Sequence, residues 1–221
     1  MKIAYQGIPG SYSESCAKKM YPDCETISCK TFDECFEKSS ENSEIKAIIP
    51  ESNKTTGNIG VEYLIFKYRL NIYEEHFFPI KHNLLGVKGS KINEIKNVYS
   101  HAQALSQSSN FIRKYNLNET DRADTAGSAK YISQNKDKTK SAIASLLSAE
   151  IYNLEVLQKN IQDDENNVTR FLLMGKDIYQ PEFNKGDFLT SFLFKLKSKP
   201  AALYSALSGF ALNGVNLTKL Q

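Results

Sequence analysis

The chain has 221 residues, of which 41% are hydrophobic and 24% are charged, and 28 basic against 25 acidic residues give a formal net charge of +3. A chain of this size can bury a core in one large or two modest domains, and its mixed charges exclude the basic arm or acidic tail typical of nucleic-acid partners. No segment approaches the roughly 20 apolar residues of a membrane span, and Met1–Gln6 lacks a secretory leader's apolar stretch. We therefore expect a cytoplasmic protein without nucleic-acid or membrane partners.

Short apolar runs of strand length alternate with segments of helical spacing, and this pattern predicts an α/β fold with a mostly parallel sheet covered by helices. The predicted strands are, in chain order, Lys2–Gln6, Glu25–Cys29, Lys46–Pro50, Asn71–Phe78, Leu84–Lys88, Asn97–Ser100, Ser141–Ala144 and Val168–Met174. The predicted helices are Tyr12–Met20, Phe32–Ser39, Ile59–Tyr68, Ala102–Tyr115, Ala126–Asn135 and Leu146–Tyr152.

Several predicted strands run directly into a helix-start signal. Ser11–Glu14 and Ser100–Gln103 fit the capping-box pattern, and the junctions at Thr55–Asn58 and Asp124–Ser128 look similar. In parallel sheets such junctions gather at the carboxyl ends of the strands, where helix dipoles favour carboxylates or phosphates. Each junction taken singly is more simply a cap, but the tight turn Gly7–Gly10 would also let a ligand approach backbone, so we expect an anionic small molecule.

Cofactor and metal motifs are missing from the sequence. Neither a phosphate-loop pattern nor G-x-G-x-x-G is present, so no nucleotide or nicotinamide cofactor is expected. The cysteines show no C-x-x-C pair and are interpreted as packing residues: Cys16, Cys24, Cys29 and Cys35. His76 and His82 lack metal-ligand spacing, and His101 cannot act as base for its neighbour Ser100, which argues against a metal site and against hydrolase chemistry.

The segment Asn166–Phe171 opens an apolar strand with polar side chains, which must find partners or serve a ligand. This N-x-T-R-F string resembles that of prephenate dehydratases, and further segments match in the family's order over nearly the whole chain. They are the opening Gly7–Ser13, Ser100–Gln107 like S-H-x-Q-A-L-x-Q, Thr125–Ala129 like T-A-x-x-A, and Ala142–Leu154 like A-A-I-A-S…Y-G-L. One segment departs from the family's E-N-S pattern: Glu51 aligns, but Ser52 and Asn53 are transposed.

The resemblance implies a catalytic domain at residues 1–175 that consists of two α/β lobes like type II periplasmic binding proteins, with the active site in the interlobe cleft. Lobe 1 would span about 1–78 plus 162–175, and lobe 2 about 79–161. Residues 187–221 resemble an incomplete ACT (α+β) module, with a strand Phe188–Lys197, a helix ending at Asn213 and the start of another strand. Because this is about half of that module, we expect a truncated version or a fragment. Phenylalanine is expected as an effector only if two chains complete each other's sheets.

The implied activity converts prephenate to phenylpyruvate with loss of water and carbon dioxide, without cofactor or metal. Dehydration of arogenate on the same scaffold, or a non-catalytic two-lobe binding protein, are the alternatives. Thr169 would donate a hydrogen bond to the departing hydroxyl, with Glu51 as a relay if its surroundings keep it protonated.

The resemblance also implies a set of substrate-binding residues, which are Ser11, Ser13, Asn53, Ser100, Gln107, Thr125, Asn167, Arg170 and Phe171. Arg170 could equally form an ion pair between the lobes, and Phe171 could equally belong to the core. A homodimer or homotetramer is expected.

Overall fold

The computed structural model describes residues 1–178, 188–190 and 194–218, and it confirms the predicted α/β class. The chain divides into two compact units, Met1–Pro181 and Glu182–Gln221. The strands are β1 Lys2–Gln6, β2 Glu25–Cys29, β3 Ile45–Asn53, β4 Gly57–Asn58, β5 Asn71–Pro79, β6 Asn83–Gly86, β7 Asn97–Ser100, β8 Asn118–Asp121, β9 Lys140–Ala144, β10 Glu155–Gln158 and β11 Val168–Gly175. The helices are α1 Tyr12–Met20, α2 Phe32–Glu41, α3 Glu62–Tyr68, α4 Ala102–Ser106, α5 Ser109–Lys114, α6 Thr125–Asn135, α7 Leu146–Ile151 and α8 Ala202–Leu212, with a 3-10 turn at Ile92–Glu94. Within the described part of the chain, no helix is both long and apolar enough to cross a lipid bilayer.

The first unit contains two separate sheets. The first sheet has the strand order β2-β1-β3-β11-β5, with β4 paired to β3, and its β1, β2 and β3 run parallel. Strand β11 comes from far along the chain and lies antiparallel between β3 and β5. Its side chains alternate between two cores, since Leu172 packs on the side that contains α2 and α3, whereas Phe171 packs on the side that contains α1.

The second sheet has the strand order β10-β6-β9-β7-β8. Strand β6 is buried along its whole length, and Leu84 and Leu85 face opposite cores of this sheet. This sheet mixes parallel pairs (β7 with β8 and β9) with antiparallel pairs (β6 with β9 and β10). The mostly parallel strand arrangement expected from the sequence is wrong in detail, because β6, β10 and β11 run antiparallel to their neighbours.

Two chain crossings connect the sheets, and they run side by side. The first crossing leads from β5 to β6 through Ile80 and His82, and the second leads from β10 to β11 through Ile161 and Asn167. The backbone amide of Ile80 donates to the carbonyl of Asn167 at 2.8 Å, and the amide of Ile161 donates to the carbonyl of His82 at 2.9 Å. Polar side chains on these crossings therefore lie at the junction of the two sheets.

Most predicted elements are present, and the differences have local causes. Strands β4, β8 and β10 were not predicted. Strand β4 has two residues and the side chains of β8 are all exposed and polar, so these two strands show no apolar period. The predicted helix Ala102–Tyr115 is broken into α4 and α5, since Ser108 takes a non-helical conformation with φ −124° and ψ 21°.

In the second unit, α8 matches the predicted helix. The predicted strand Phe188–Lys197 is not formed by residues 188–190 or 194–197, and residues 191–193 lie outside the described part of the chain. Of the strand expected after Asn213, residues 214–218 are not in a strand and residues 219–221 lie outside the description.

The turn before α1 contacts the start of α7, which belongs to the other sheet. The carbonyl of Gly10 accepts hydrogen bonds from the hydroxyls of Ser145 at 2.6 Å and Ser148 at 2.8 Å. Gly10 has φ +92°, and a Cβ atom there would lie 2.5 Å from the Ser148 hydroxyl oxygen and 2.9 Å from the Ser148 Cα. The glycine therefore permits a close backbone contact between the two sheets.

We predict that Gly10→Ala destabilises the protein through both its backbone angle and this contact. Gly57→Ala is the matched control, because Gly57 has φ +83° but nothing within 4 Å of an added Cβ. Both variants carry the cost of a strained backbone, while Gly10→Ala adds overpacking of about 1–3 kcal/mol. Urea unfolding of both variants measures the difference, and equal losses would show that the contact with Ser148 contributes nothing.

Candidate active site

Thr169 is the second residue of β11 and lies at the end of the first sheet that faces the crossings. Its strand neighbours are Asn53 on β3 and Phe78 on β5. Directly opposite residues of neighbouring strands project to the same face of a sheet, which brings the side chains of Thr169 and Asn53 together. Thr169 is only 6% exposed, so its hydroxyl lies in a largely water-free environment.

The orientation of the Asn53 amide is fixed by backbone donors. Its Oδ1 accepts from the amides of Thr55 at 3.0 Å and Thr56 at 3.2 Å, and a backbone N–H can only donate. Its Nδ2 therefore faces the other way and donates to Thr169 Oγ1 at 2.8 Å and to Asn167 Oδ1 at 2.9 Å. The transposition of Ser52 and Asn53 thus leaves an asparagine in contact with the threonine.

This contact decides what the Thr169 hydroxyl can do. A threonine hydroxyl has one proton to donate and can accept from other donors. Because Asn53 donates to the Thr169 oxygen, the threonine keeps its own proton available for a hydrogen bond to another group. The geometry therefore prepares Thr169 as a donor.

Gln107 connects this group to the second sheet. Its Nε2 donates to Thr55 Oγ1 at 2.6 Å, and its Oε1 accepts from Asn167 Nδ2 at 3.0 Å. Gln107 ends α4 at the helix break, where its carbonyl accepts from the amide of Asp163 at 2.7 Å. The Asp163 carboxylate also accepts from the amide of Asn110 in the first turn of α5. This amide would bond to a helix carbonyl if α4 and α5 formed the one continuous helix that the spacing predicts.

Glu51 and Arg170 form an ion pair rather than separate site groups. Arg170 NH1 lies 3.2 Å from the Glu51 carboxylate, and its Nε donates to Glu75 at 2.7 Å. Both carboxylates belong to the first sheet, so the alternative of an ion pair between the lobes is wrong for Arg170. Pairing with a guanidinium favours the charged carboxylate, so this geometry does not support Glu51 as a protonated relay.

Ser11, Ser13 and Thr125 lie at helix starts, as predicted. Ser11 caps α1 by accepting from the amide of Glu14 at 3.3 Å, and Asp124 caps α6 ahead of Thr125. The side chains of Ser13 and Thr125 make no hydrogen bond to the described residues. These three residues are therefore not part of the network around Thr169.

Two expected substrate contacts are instead structural. Ser100 is fully buried and donates to the carbonyl of Ile143 on β9 at 2.7 Å, while His101 takes the capping position of α4 that was predicted for Ser100. Phe171 is 1% exposed and packs edge-on against Phe78 in the core of the first sheet. Neither Ser100 nor Phe171 is accessible to a ligand, because strand alternation and tight packing turn both side chains inward.

Three further residues join this network without being indicated by the sequence pattern. His82 and Tyr12 form a hydrogen bond of 2.7 Å, His82 also contacts Gln107, and Thr55 bridges Asn53 and Gln107. His82 was considered only as a metal ligand. The available signal was its position directly before the wholly buried strand β6, where a polar ring needs partners.

We predict that Asn53→Asp lowers the free energy of unfolding by about 1–3 kcal/mol, since it replaces a buried donor by an acceptor that faces two oxygens. Asn166→Asp makes the same chemical change at an exposed neighbouring position and should change stability by less than about 0.5 kcal/mol. Denaturant unfolding of both variants at neutral pH tests this. Equal effects would contradict the assigned orientation of the Asn53 amide.

Comparisons with known proteins agree with this architecture. At 43% identity, arogenate dehydratase 2 of Petunia hybrida matches 100% of this chain, which covers 56% of that relative. Arogenate dehydratase/prephenate dehydratase 1, chloroplastic, of Arabidopsis thaliana is 40% identical with the same coverage. The chain thus spans about half the length of these curated relatives. The cytoplasmic location expected from the sequence is contradicted by relatives described as chloroplastic. The lack of an apolar leader bears only on secretion and does not distinguish the cytoplasm from a plastid.

Solved structures share the fold. One, described as GqqA, a novel type of quorum quenching acylases, has a TM-score of 0.85 at 29% identity and covers 100% of this chain and 81% of its own. The prephenate dehydratase of Arthrobacter aurescens in complex with L-Phe has a TM-score of 0.84 at 22% identity, covering 100% of this chain and 74% of its own. A family model for prephenate dehydratase matches residues 3–178. The chain therefore belongs to the prephenate dehydratase family.

Proposed function

We propose that this protein is a lyase that removes water and carbon dioxide from prephenate to give phenylpyruvate. The observation that carries the proposal is the hydrogen bond from Asn53 to Thr169, which leaves the threonine proton available beside the junction of the two sheets. Family membership over residues 3–178 supports the reaction class.

The reaction needs little covalent help from the protein. As the bond to the departing hydroxyl breaks, the electron pair of the breaking carbon–carboxylate bond moves into the ring, which becomes aromatic. The substrate dianion and one proton from solvent give a phenylpyruvate monoanion, carbon dioxide and water. Thr169 stabilises the developing negative charge on the departing oxygen by a directed hydrogen bond, an effect worth roughly 10²–10⁴-fold.

The amides of the site form a ring of hydrogen bonds. Asn167 is bonded to Asn53 and to Gln107, and Thr55 is bonded to the same two residues. Such a closed set of neutral amides and hydroxyls can keep the Thr169 hydroxyl fixed while the substrate reacts. Arg170, paired with Glu51 and Glu75, is proposed to set the shape and charge of the proposed cleft next to Thr169. Ser11, Ser13 and Thr125 are proposed to face the substrate carboxylates from the helix starts.

Arogenate is the second candidate substrate, because the similar Petunia and Arabidopsis relatives are described as arogenate dehydratases. Arogenate carries an amino group where prephenate carries a keto group, so the same hydroxyl and ring carboxylate take part. Competition between the two substrates in one reaction mixture gives their ratio of kcat/KM directly.

We also propose the organisation of the whole chain. Residues 1–175 form the catalytic domain, with lobe 1 at about 1–78 plus 162–175 and lobe 2 at about 79–161, and 187–221 form part of an ACT module. Helix α8 supports the last assignment. A homodimer or homotetramer, and binding of phenylalanine if two chains complete the module, belong to the same proposal.

We predict that Thr169→Val lowers kcat on the preferred substrate by about 10²-fold or more, while Thr169→Ser, which keeps the hydroxyl, retains most activity. Turnover is followed by the appearance of the aromatic product, and substrate binding is followed by protection against heat. Equal activity of the valine variant and the wild type would remove Thr169 from the mechanism. Heat protection by prephenate and arogenate without turnover of either would instead identify a non-catalytic binding protein.

A further inference from the structure

His82 is a buried titratable side chain that the proposed mechanism does not use. It lies on the first crossing between the sheets, is 2% exposed, and both ring nitrogens have a partner. Nδ1 lies 2.7 Å from the hydroxyl of Tyr12 on α1, and Nε2 lies 2.9 Å from Oε1 of Gln107. The ring therefore links a helix of the first sheet to the glutamine that completes the site.

The partners of Gln107 determine which nitrogen of His82 carries the proton. Gln107 Nε2 donates to Thr55 at 2.6 Å, and Gln107 Oε1 accepts from the amide of Asn167 at 3.0 Å. Because Oε1 is an acceptor, the nitrogen of His82 that faces it must be N–H. His82 is thus a donor to Gln107 through Nε2.

The other nitrogen follows from the charge of the ring. Burial lowers the pKa of His82, which favours the neutral ring at pH 7. A neutral ring with its proton on Nε2 has a lone pair on Nδ1. The Tyr12 hydroxyl faces this lone pair at 2.7 Å and the carbonyl of Lys81 at 3.1 Å, so its single proton is directed mainly at the nearer acceptor, Nδ1. Tyr12 is itself a suitable donor, because burial raises the pKa of its phenol and keeps it protonated.

We propose that His82 is a positioning residue which, held in the Nε2–H form by Tyr12, fixes the Gln107 amide and through it the orientation of Asn167, the neighbour of Asn53 and Thr169. This inference rests on the proposed function, because its consequence for activity passes through Thr169. Without the His82 donor, the Gln107 amide can rotate, Asn167 loses its acceptor, and the ordered amides that leave the Thr169 proton available are disturbed.

The molecule contains a matched control for this role. Tyr21 and His76 form a second tyrosine–histidine pair, with the Tyr21 hydroxyl 2.8 Å from His76 Nε2 and the rings edge-on. Tyr21 directly follows α1 and also donates to the Glu74 carboxylate at 2.7 Å, His76 lies on β5, and the pair shares no hydrogen bond with the Gln107 network. His76→Leu therefore removes a tyrosine–histidine contact without touching the site.

The first experiment is independent of activity. Nitrogen-15 spectra of the three histidine rings at pH 7.5, assigned by the His82→Gln and His76→Leu variants, report the protonated nitrogen of each ring. We expect a fixed Nε2–H form for His82. The Nδ1–H form, or an averaged mixture like that of a solvent-exposed histidine, would overturn the proposal even if the protein has no dehydratase activity.

The second experiment measures the consequence for the site. His82→Leu should shift the side-chain amide signals of Gln107 and Asn167 and lower kcat by about tenfold or more with a smaller change in KM, whereas His76→Leu should do neither. His82→Gln, which can present an amide donor toward Gln107, should recover part of the loss, and it also serves if His82→Leu does not fold. Amide signals and kcat that change no more in His82→Leu and His82→Gln than in His76→Leu would refute the positioning role.

Discussion

The insertion of β11 between β3 and β5 is the constraint on which the rest of the structure depends. This strand carries Thr169 from the far end of the first unit into register with Asn53, and it buries Phe171 and Leu172 in two different cores. The backbone pairing on both edges of β11 leaves no freedom in its register, because a slip of one residue would turn the buried side chains outward. The packing that stabilises the first sheet therefore also fixes the position of the proposed catalytic hydroxyl.

The site is made of neutral hydrogen-bonding groups at the crossing of two sheets. Asn53 comes from the first sheet, Asn167 and His82 come from the two crossings, and Gln107 comes from the end of a helix of the second sheet. The donor and the acceptor atom of each amide are assigned by its neighbours. Neutral groups avoid the large cost of desolvating a charge, so they can be buried where an ion would need a counter-ion. The charged pair Glu51–Arg170 stays within one sheet, where each charge is compensated.

The contacts between the two sheets restrict how the sheets can move relative to each other. The two crossings run beside one another, and further hydrogen bonds join the Gly10 turn to α7 and Gln107 to the Thr55 loop. Relative movement of the sheets must break or lengthen these bonds, which include members of the proposed site. Any relative movement of the two sheets would therefore change the geometry around Thr169.

The sequence by itself determined the α/β class and most element positions, because the apolar period is a local property of a chain. Its resemblance to a family singled out Thr169, Asn53, Asn167 and Gln107 as candidate site residues. The sequence could not determine that Ser100 and Phe171 face inward, that Glu51 is paired with Arg170, or that His82 contacts Gln107. These facts depend on which strands become neighbours and on which face each side chain lies. Strand pairing joins residues more than a hundred positions apart, such as Asn53 and Thr169, and only the tertiary structure decides that register.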